Sequence, residues 1–158
     1  HAALFRAVQP LLEQAAAGPK GSARVVLVSS LAQYDATGVP LTLAEVNSGP
    51  AGPPLYDRSK LAQVLFAQEA ARRLGPDSAI FVNSAHPGAV NSNIWDSAIP
   101  ELMGDGFAGR AVMRLMDKLR AEWMWTVDEG ALTQLFLAAA ADTLKARGLR
   151  APCFPPPA

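Results

Sequence analysis

Cysteine and histidine are scarce in this chain of 158 residues, which has one Cys, at position 153, and two His, at 1 and 86. A single cysteine excludes an intramolecular disulfide and a cysteine zinc cluster. Two histidines without such partners give little from which to build a metal centre, so none is expected. Net charge is missing too, with 14 basic residues against 14 acidic ones. A balanced chain with a pI near 6.9 has no basic footprint for nucleic acid or an anionic membrane. No apolar run reaches the roughly 18 residues of a membrane-spanning helix. The longest, residues 131–141, is shorter and includes Thr133 and Gln134. The first residue is His1, and no charged-then-apolar leader follows it. The chain therefore reads as entered partway through a longer sequence, although its length alone fits one domain. A reducing, cytoplasmic or otherwise intracellular setting is the expectation.

What the chain does have is apolar substance. Hydrophobic residues make up 50% and charged residues only 18%, which is enough to bury a core. Leu4, Phe5, Val8, Leu11 and Leu12 recur at helical steps, predicting a helix over 2–17 that Gly18-Pro19 ends. Pro10 conflicts with that helix, because proline removes a backbone donor. Residues 24–29, Arg-Val-Val-Leu-Val-Ser, read as a short strand buried on both faces, the mark of a parallel sheet. Glycine and proline crowd residues 31–54, predicting a long loop. A helix is expected over 55–74, stopped by Gly75-Pro76, then a second buried strand over 79–82 leading into Asn83-Ser84-Ala85-His86-Pro87-Gly88.

All four Met and all three Trp fall within 94–125, where short helices broken by Gly104, Gly106 and Gly109 are expected. Thr126 with Glu129 three residues on forms a capping box, opening a helix to about Lys145. Cys153-Phe154 reads as a last short strand. Helix and strand alternate throughout, which implies an α/β sheet covered on both sides, and no linker or repeat divides it.

The chemistry-bearing residues cluster where that fold would bring them together. Tyr56 and Lys60 stand four apart, on one face of a helix. An ammonium beside a phenol favours the phenolate and lowers a pKa that starts near 10. A tyrosine so placed exchanges a proton with an alcohol or carbonyl oxygen. Taken alone, such a pair is usually a surface pair. However, Ser29-Ser30 closes the first predicted strand and His86-Pro87-Gly88 the second. In open parallel sheets, ligands bind beyond those carboxyl ends. A Ser30 hydroxyl can bond a substrate oxygen there, or simply cap the following turn.

Val25 to Ser30, Tyr56-x-x-x-Lys60 and Pro87-Gly88 resemble the C-terminal half of the short-chain dehydrogenase/reductase family. Val28-Ser29-Ser30-Leu31-Ala32, Ser59-Lys60-Leu61-Ala62 and His86-Pro87-Gly88-Ala89-Val90 are similar to its retinol dehydrogenase and protochlorophyllide reductase-like branch. Tyr56 lies 26 positions after Ser30, matching an inserted loop of that branch. The resemblance implies the C-terminal portion of a Rossmann-type doubly wound parallel sheet, three-layered but incomplete. It spans residues 1–158 as the catalytic and substrate-binding half of one domain.

By this resemblance Ser30, Tyr56 and Lys60 are catalytic. Tyr56 would be the general acid/base, Lys60 its electrostatic partner and a ligand of the nicotinamide ribose, and Ser30 the binder of the substrate carbonyl. Pro87, Gly88, Val90 and Ser92 would line the nicotinamide with Tyr56 and Lys60. The implied cofactor is NADP(H) rather than NAD(H), and the reaction is hydride transfer between a carbonyl and an alcohol. The family's Gly-rich phosphate loop, its ribose-selecting residue and its Asn-Asn-Ala-Gly stretch have no counterpart here. Gly104-x-Gly106-x-x-Gly109 follows no predicted strand and is a chance match. An assisting Asn would fall just before His1. The N-terminal, cofactor-gripping half is thus expected to be absent from these residues.

Other residues have plainer readings. His86 is expected to pack at a strand end, Tyr34 to pack in the long loop and Cys153 to be a small buried hydrophobe. No Gly-x-Ser-x-Gly elbow supports a serine hydrolase. The Met/Trp segment is either a flexible cover over substrate or helices packed on the core. In the family this region covers the substrate, which assigns Trp95 and Met103 to it and suggests a lipophilic carbonyl or alcohol. A second reading makes the chain a non-catalytic fragment or interaction module, because its first strand would expose an unpaired edge. Oligomeric state and reaction direction stay open.

Overall fold

The structure, a computed structural model, describes residues 1–36, 53–93, 106–150 and 152–155. Its elements are α1 (Ala2–Ala17), β1 (Ala23–Val28), a 3-10 turn (Leu31–Tyr34), α2 (Pro53–Leu74), β2 (Ile80–Ala85), α3 (Phe107–Trp123), α4 (Val127–Ala139), α5 (Ala141–Ala146) and β3 (Cys153–Phe154). The three strands form one parallel sheet in the order β1-β2-β3. Parallel neighbours need a crossover, and α2 supplies the one between β1 and β2.

Each strand face meets its own helical layer. Ala23 and Leu27 of β1 and Ile80 and Val82 of β2 pack with Ala67 and Ala70 of α2, joined by Phe5, Leu12 and Ala16 of α1. Phe5 meets Phe66 edge to face, with ring centroids 5.5 Å apart. On the opposite face Phe81 and Ala85 pack with Leu137 of α4 and Leu144 of α5, flanked by Val26, Leu149 and Phe154. Strand alternation places successive side chains on opposite sides, so a continuous apolar run serves both layers. Phe81, Leu137 and Leu144 are enclosed, each contributing about 1.5–3 kcal/mol. Arg150 lies 4.2 Å above the Phe81 ring and donates from Nη1 to the Ile80 carbonyl at 3.2 Å, securing the start of β2.

Several boundaries differ from the sequence expectation for identifiable reasons. β2 continues to Ala85 rather than stopping at Val82, because Asn83 and Ser84 stay in register with Val26 and Leu27 and are wholly buried. α2 begins at Pro53, with prolines in its first turn, where their missing N–H costs nothing. The helix expected to run to Lys145 breaks at Ala140, whose ψ of 54° is not helical, giving α4 and α5. α3 runs unbroken through Gly109 for 17 residues with Gly106 as its N-cap, while residues 94–105 of the segment expected to hold short helices lie outside the described residues. α1 runs through Pro10, which lies on its exposed side where water can meet the freed Arg6 carbonyl. Tyr34 is 64% exposed, and the rest of the predicted loop, residues 37–52, lies outside the described residues. Cys153 is half-buried and accepts from Gln33 Nε2 at 3.4 Å, rather than being fully enclosed.

Candidate active site

Three elements deliver the site: the carboxyl end of β1, the first turns of α2 and the turn after β2. Two hydrogen bonds seat α2 on β1. Lys60 Nζ donates to the Val28 carbonyl at 3.0 Å, and Ser29 Oγ donates to the Lys60 carbonyl at 2.9 Å. Lys60 therefore reaches back over the strand end, and its ammonium lies 5.3 Å from the centre of the Tyr56 ring. An ammonium has three donors. Among the described residues Val28 supplies its only hydrogen-bond acceptor, which leaves two donors for a ligand. Tyr56 is partly exposed, and its helical turn is braced by Ser59 Oγ donating to the Tyr56 carbonyl at 2.7 Å.

Ser30 serves as the cap of the 3-10 turn. Its backbone is extended, and Oγ accepts from Ala32 N–H at 3.3 Å. Accepting that bond leaves the hydroxyl hydrogen free to donate, so capping and substrate binding are compatible. α2 packs directly against this turn, bringing the Ser30 segment and the Tyr56–Lys60 face to one end of the sheet.

The turn after β2 holds the remaining candidates. His86 is buried, its N–H donates to the Phe154 carbonyl at 2.8 Å, and Nδ1 accepts from Gly88 N–H at 3.4 Å. Burial holds its imidazole below its ordinary value of 6.5. With Nδ1 accepting, the neutral ring carries its proton on Nε2, which has no partner among the described residues. Gly88 has φ +88°, a conformation that excludes most side chains and keeps this stretch of backbone bare. Pro87, Gly88, Val90 and Ser92 are half-buried. Val90 forms an isolated parallel bridge with Trp125: Trp125 N–H donates to Ala89 at 2.9 Å, and Asn91 N–H donates to Trp125 at 2.8 Å. Trp95 and Met103 lie outside the described residues.

The sequence reading assigned no role to four residues here. Gly130 of α4 is buried against Val90, and a Cβ there would lie 2.4 Å from Val90 Cγ2. Arg120 of α3 bonds Asn91 and Ser92. Asn83 and Ser84 place Oδ1 and Oγ in the interior with no partner among the described residues. A glycine inside a helix pattern was the one visible signal for Gly130; Arg120 gave none. A groove of about 500 Å³ between α1 and α2 is lined by Phe5, Phe66 and Leu74 and rimmed by Arg6, Glu69 and Arg73. It shares no residue with Ser30, Tyr56, Lys60 or the 87–92 turn, so it bears on packing rather than on this chemistry. No group of metal-ligating side chains occurs among the described residues.

No family model matches the chain. It is 31% identical over 137 residues to a short-chain dehydrogenase/reductase of Armillaria gallica, an alignment covering 85% of this chain and 39% of that protein. In fold it is similar to a candidate 2-deoxy-d-gluconate 3-dehydrogenase from Agrobacterium tumefaciens with bound NADP. There the TM-score is 0.56 at 16% identity, over 96% of this chain and 50% of that one. The chain thus spans half or less of the length of the proteins it matches. The three-stranded parallel sheet between helical layers is a partial Rossmann-like fold, and the sequence likeness supports a place in the short-chain dehydrogenase/reductase family.

Proposed function

We propose that these residues form the catalytic half of an NAD(P)-dependent oxidoreductase that interconverts a carbonyl and an alcohol. The observation that carries this reading is the seating of Lys60: one side chain spans from the Val28 carbonyl to the Tyr56 ring at the carboxyl end of a parallel strand. The 87–92 turn fits a flat nicotinamide, because bare backbone at Gly88 sits beside half-buried Pro87 and Val90. When bound, the nicotinamide supplies or accepts the hydride.

The chain's own residues handle the oxygen. Ser30 donates its hydroxyl hydrogen to the substrate oxygen and orients the carbonyl. Tyr56 gives that oxygen a proton during reduction and takes one during oxidation. Lys60 stabilises the phenolate left behind and keeps donors for the ribose. The NADP bound to the Agrobacterium relative favours NADP(H) over NAD(H) here. The resemblance to the retinol dehydrogenase branch favours a lipophilic substrate covered by the Met/Trp segment, with Trp95 and Met103 against it.

The test uses the full-length gene product. Tyr56→Phe is expected to lower turnover by about 10²–10⁴-fold while changing NADPH affinity less than about twofold. Substantial residual turnover removes Tyr56 from its role. In the same assay, a retinoid or long-chain aldehyde should exceed small polar carbonyls in kcat/KM; equal values remove the lipophilic assignment. The competing reading, a non-catalytic interaction module, draws on the free outer edge that β1 presents among the described residues. Titration with NADPH or NADH, followed by tryptophan fluorescence, separates the two, since saturable binding belongs only to the oxidoreductase.

A further inference from the structure

The turn that follows β2 is held mainly from the junction of α3 and α4. Arg120, near the end of α3, donates from Nε to Asn91 Oδ1 at 2.9 Å and from Nη2 to the Ser92 carbonyl at 3.1 Å. Its guanidinium also lies 3.7 Å from Asp117, one helical turn back, and the side chain is only 13% exposed. Five residues on, Trp125 exchanges backbone hydrogen bonds with Ala89 and Asn91. Gly130 then lets α4 approach Val90 more closely than any side chain would allow. The start of α4 is itself fixed by the Thr126–Glu129 capping box. Contacts from α3, the α3–α4 connection and α4 thus converge on residues 89–92.

Arg120 is the part of this clamp that ties α3 to the turn through side-chain hydrogen bonds. A guanidinium taken out of water is costly unless its N–H groups are bonded, and here they bond two consecutive residues of one turn. Arginine does not deprotonate, so the tie persists across the working pH range. The planar fork also fixes an angle as well as a distance. α3 and the turn are therefore joined so that one cannot shift freely without the other.

We propose that Arg120 is a positioning residue that couples α3 to the 89–92 turn, so that a bulky substrate resting against α3 firms the backbone on which the nicotinamide lies. This rests on the oxidoreductase reading above. By linkage the effect is reciprocal: bound cofactor raises affinity for the substrate by the same factor that substrate raises affinity for cofactor.

The test uses the full-length gene product with Arg120→Met, which keeps the stem and removes the donors, and Arg120→Lys, which restores a donor. Asn91→Ala breaks the tie from the exposed side and serves if the Met variant fails to fold. Amide hydrogen exchange at Asn91 and Trp125 is expected to quicken roughly tenfold in Arg120→Met, less in Arg120→Lys, and to stay unchanged in β1 and β2. NADPH affinity should weaken by roughly three- to tenfold, with partial rescue by Lys, and the mutual enhancement between substrate and cofactor should shrink. Unchanged exchange at Asn91 and Trp125 overturns the clamp. Equal quickening in β1 and β2 also overturns it, by showing a general loss of stability instead. A wild-type protein that binds no NADPH overturns the oxidoreductase reading, while the exchange measurement still decides whether Arg120 holds the turn.

Discussion

Gly130 and Val90 show how one missing methyl group can set the shape of a site. A Cβ at Gly130 would stand 2.4, 3.2 and 3.4 Å from three Val90 carbons. Valine is stiff about χ1 and cannot swing its methyls aside cheaply. Its backbone is also held by the bridge to Trp125. Gly130→Ala gains up to about 1 kcal/mol of helix propensity but incurs about 1–3 kcal/mol of overpacking. The expected outcome is a lower urea midpoint for Gly130→Ala and recovery in the double variant Val90→Ala/Gly130→Ala. Additive effects in that cycle would deny the contact.

His86 makes a second claim at the same scale. Its pKa is held below the ordinary 6.5 by burial, so the unfolded chain binds the proton first as pH falls. Stability is then fully present above pH 6.5 and declines below it, until the folded state also takes up the proton. Urea midpoints at pH 8 and pH 5 should differ more for the wild type than for His86→Asn; equal differences would reject this assignment. Spacing placed Tyr56 and Lys60 on one helix face, because i and i+4 share it whatever surrounds them, and the neighbouring strand ends and the family resemblance singled the pair out. The Val90–Gly130 contact depends on how two distant segments pack, which no local pattern encodes.

Helices and strands were legible where one periodicity ran unopposed. The Val25–Val28 run of β1 was visible because four apolar residues in a row suit a strand covered on both sides. β2 was read short because Asn83 and Ser84 are polar, and polarity normally signals a chain leaving the core; here both are buried within the strand. The start of α4 was legible to the residue. Thr126 Oγ1 accepts from Glu129 N–H at 3.2 Å, and Glu129 Oε2 accepts from Thr126 N–H at 2.8 Å. The bonds from the Thr126 backbone and then its side chain hold the Glu129 carboxyl below its ordinary 4.5. Its contribution is therefore present above pH 4.5 and lost as pH falls below it. The end of that helix was not legible, because residues 138–141 are four alanines that suit a helix and give no stop signal. Thr126→Ala should lower stability by about 1 kcal/mol at neutral pH and flatten the decline on the acid side. A midpoint unchanged at both pH values would mean that packing against Val90 alone positions α4.

Among the described residues the sheet has an open edge at β1. Among the described residues β1 pairs only with β2, so its outer edge offers unpaired backbone groups. Nearby, Val127, Leu132, Leu135 and Phe136 of α4 are exposed, as are Leu4 and Leu11 of α1. The proteins the chain resembles are about twice its length or more, which is consistent with further strands and helices covering these surfaces. Alternating helix and strand made the layered parallel fold readable. How large a sheet these strands belong to was not readable from periodicity, because a buried parallel strand looks the same at the centre of three strands or of seven. Exposed edges and apolar faces recruit other chains. The 158 residues produced alone are therefore expected to self-associate at micromolar concentration, and light scattering coupled to gel filtration should show species well above the 16.6 kDa monomer. In the full-length gene product a single discrete species should replace these, and with it NADPH-dependent quenching of tryptophan fluorescence should appear. A monodisperse 16.6 kDa protein from the isolated chain would show that the β1 edge and the outer face of α4 are tolerated in water, removing the case for a covering half.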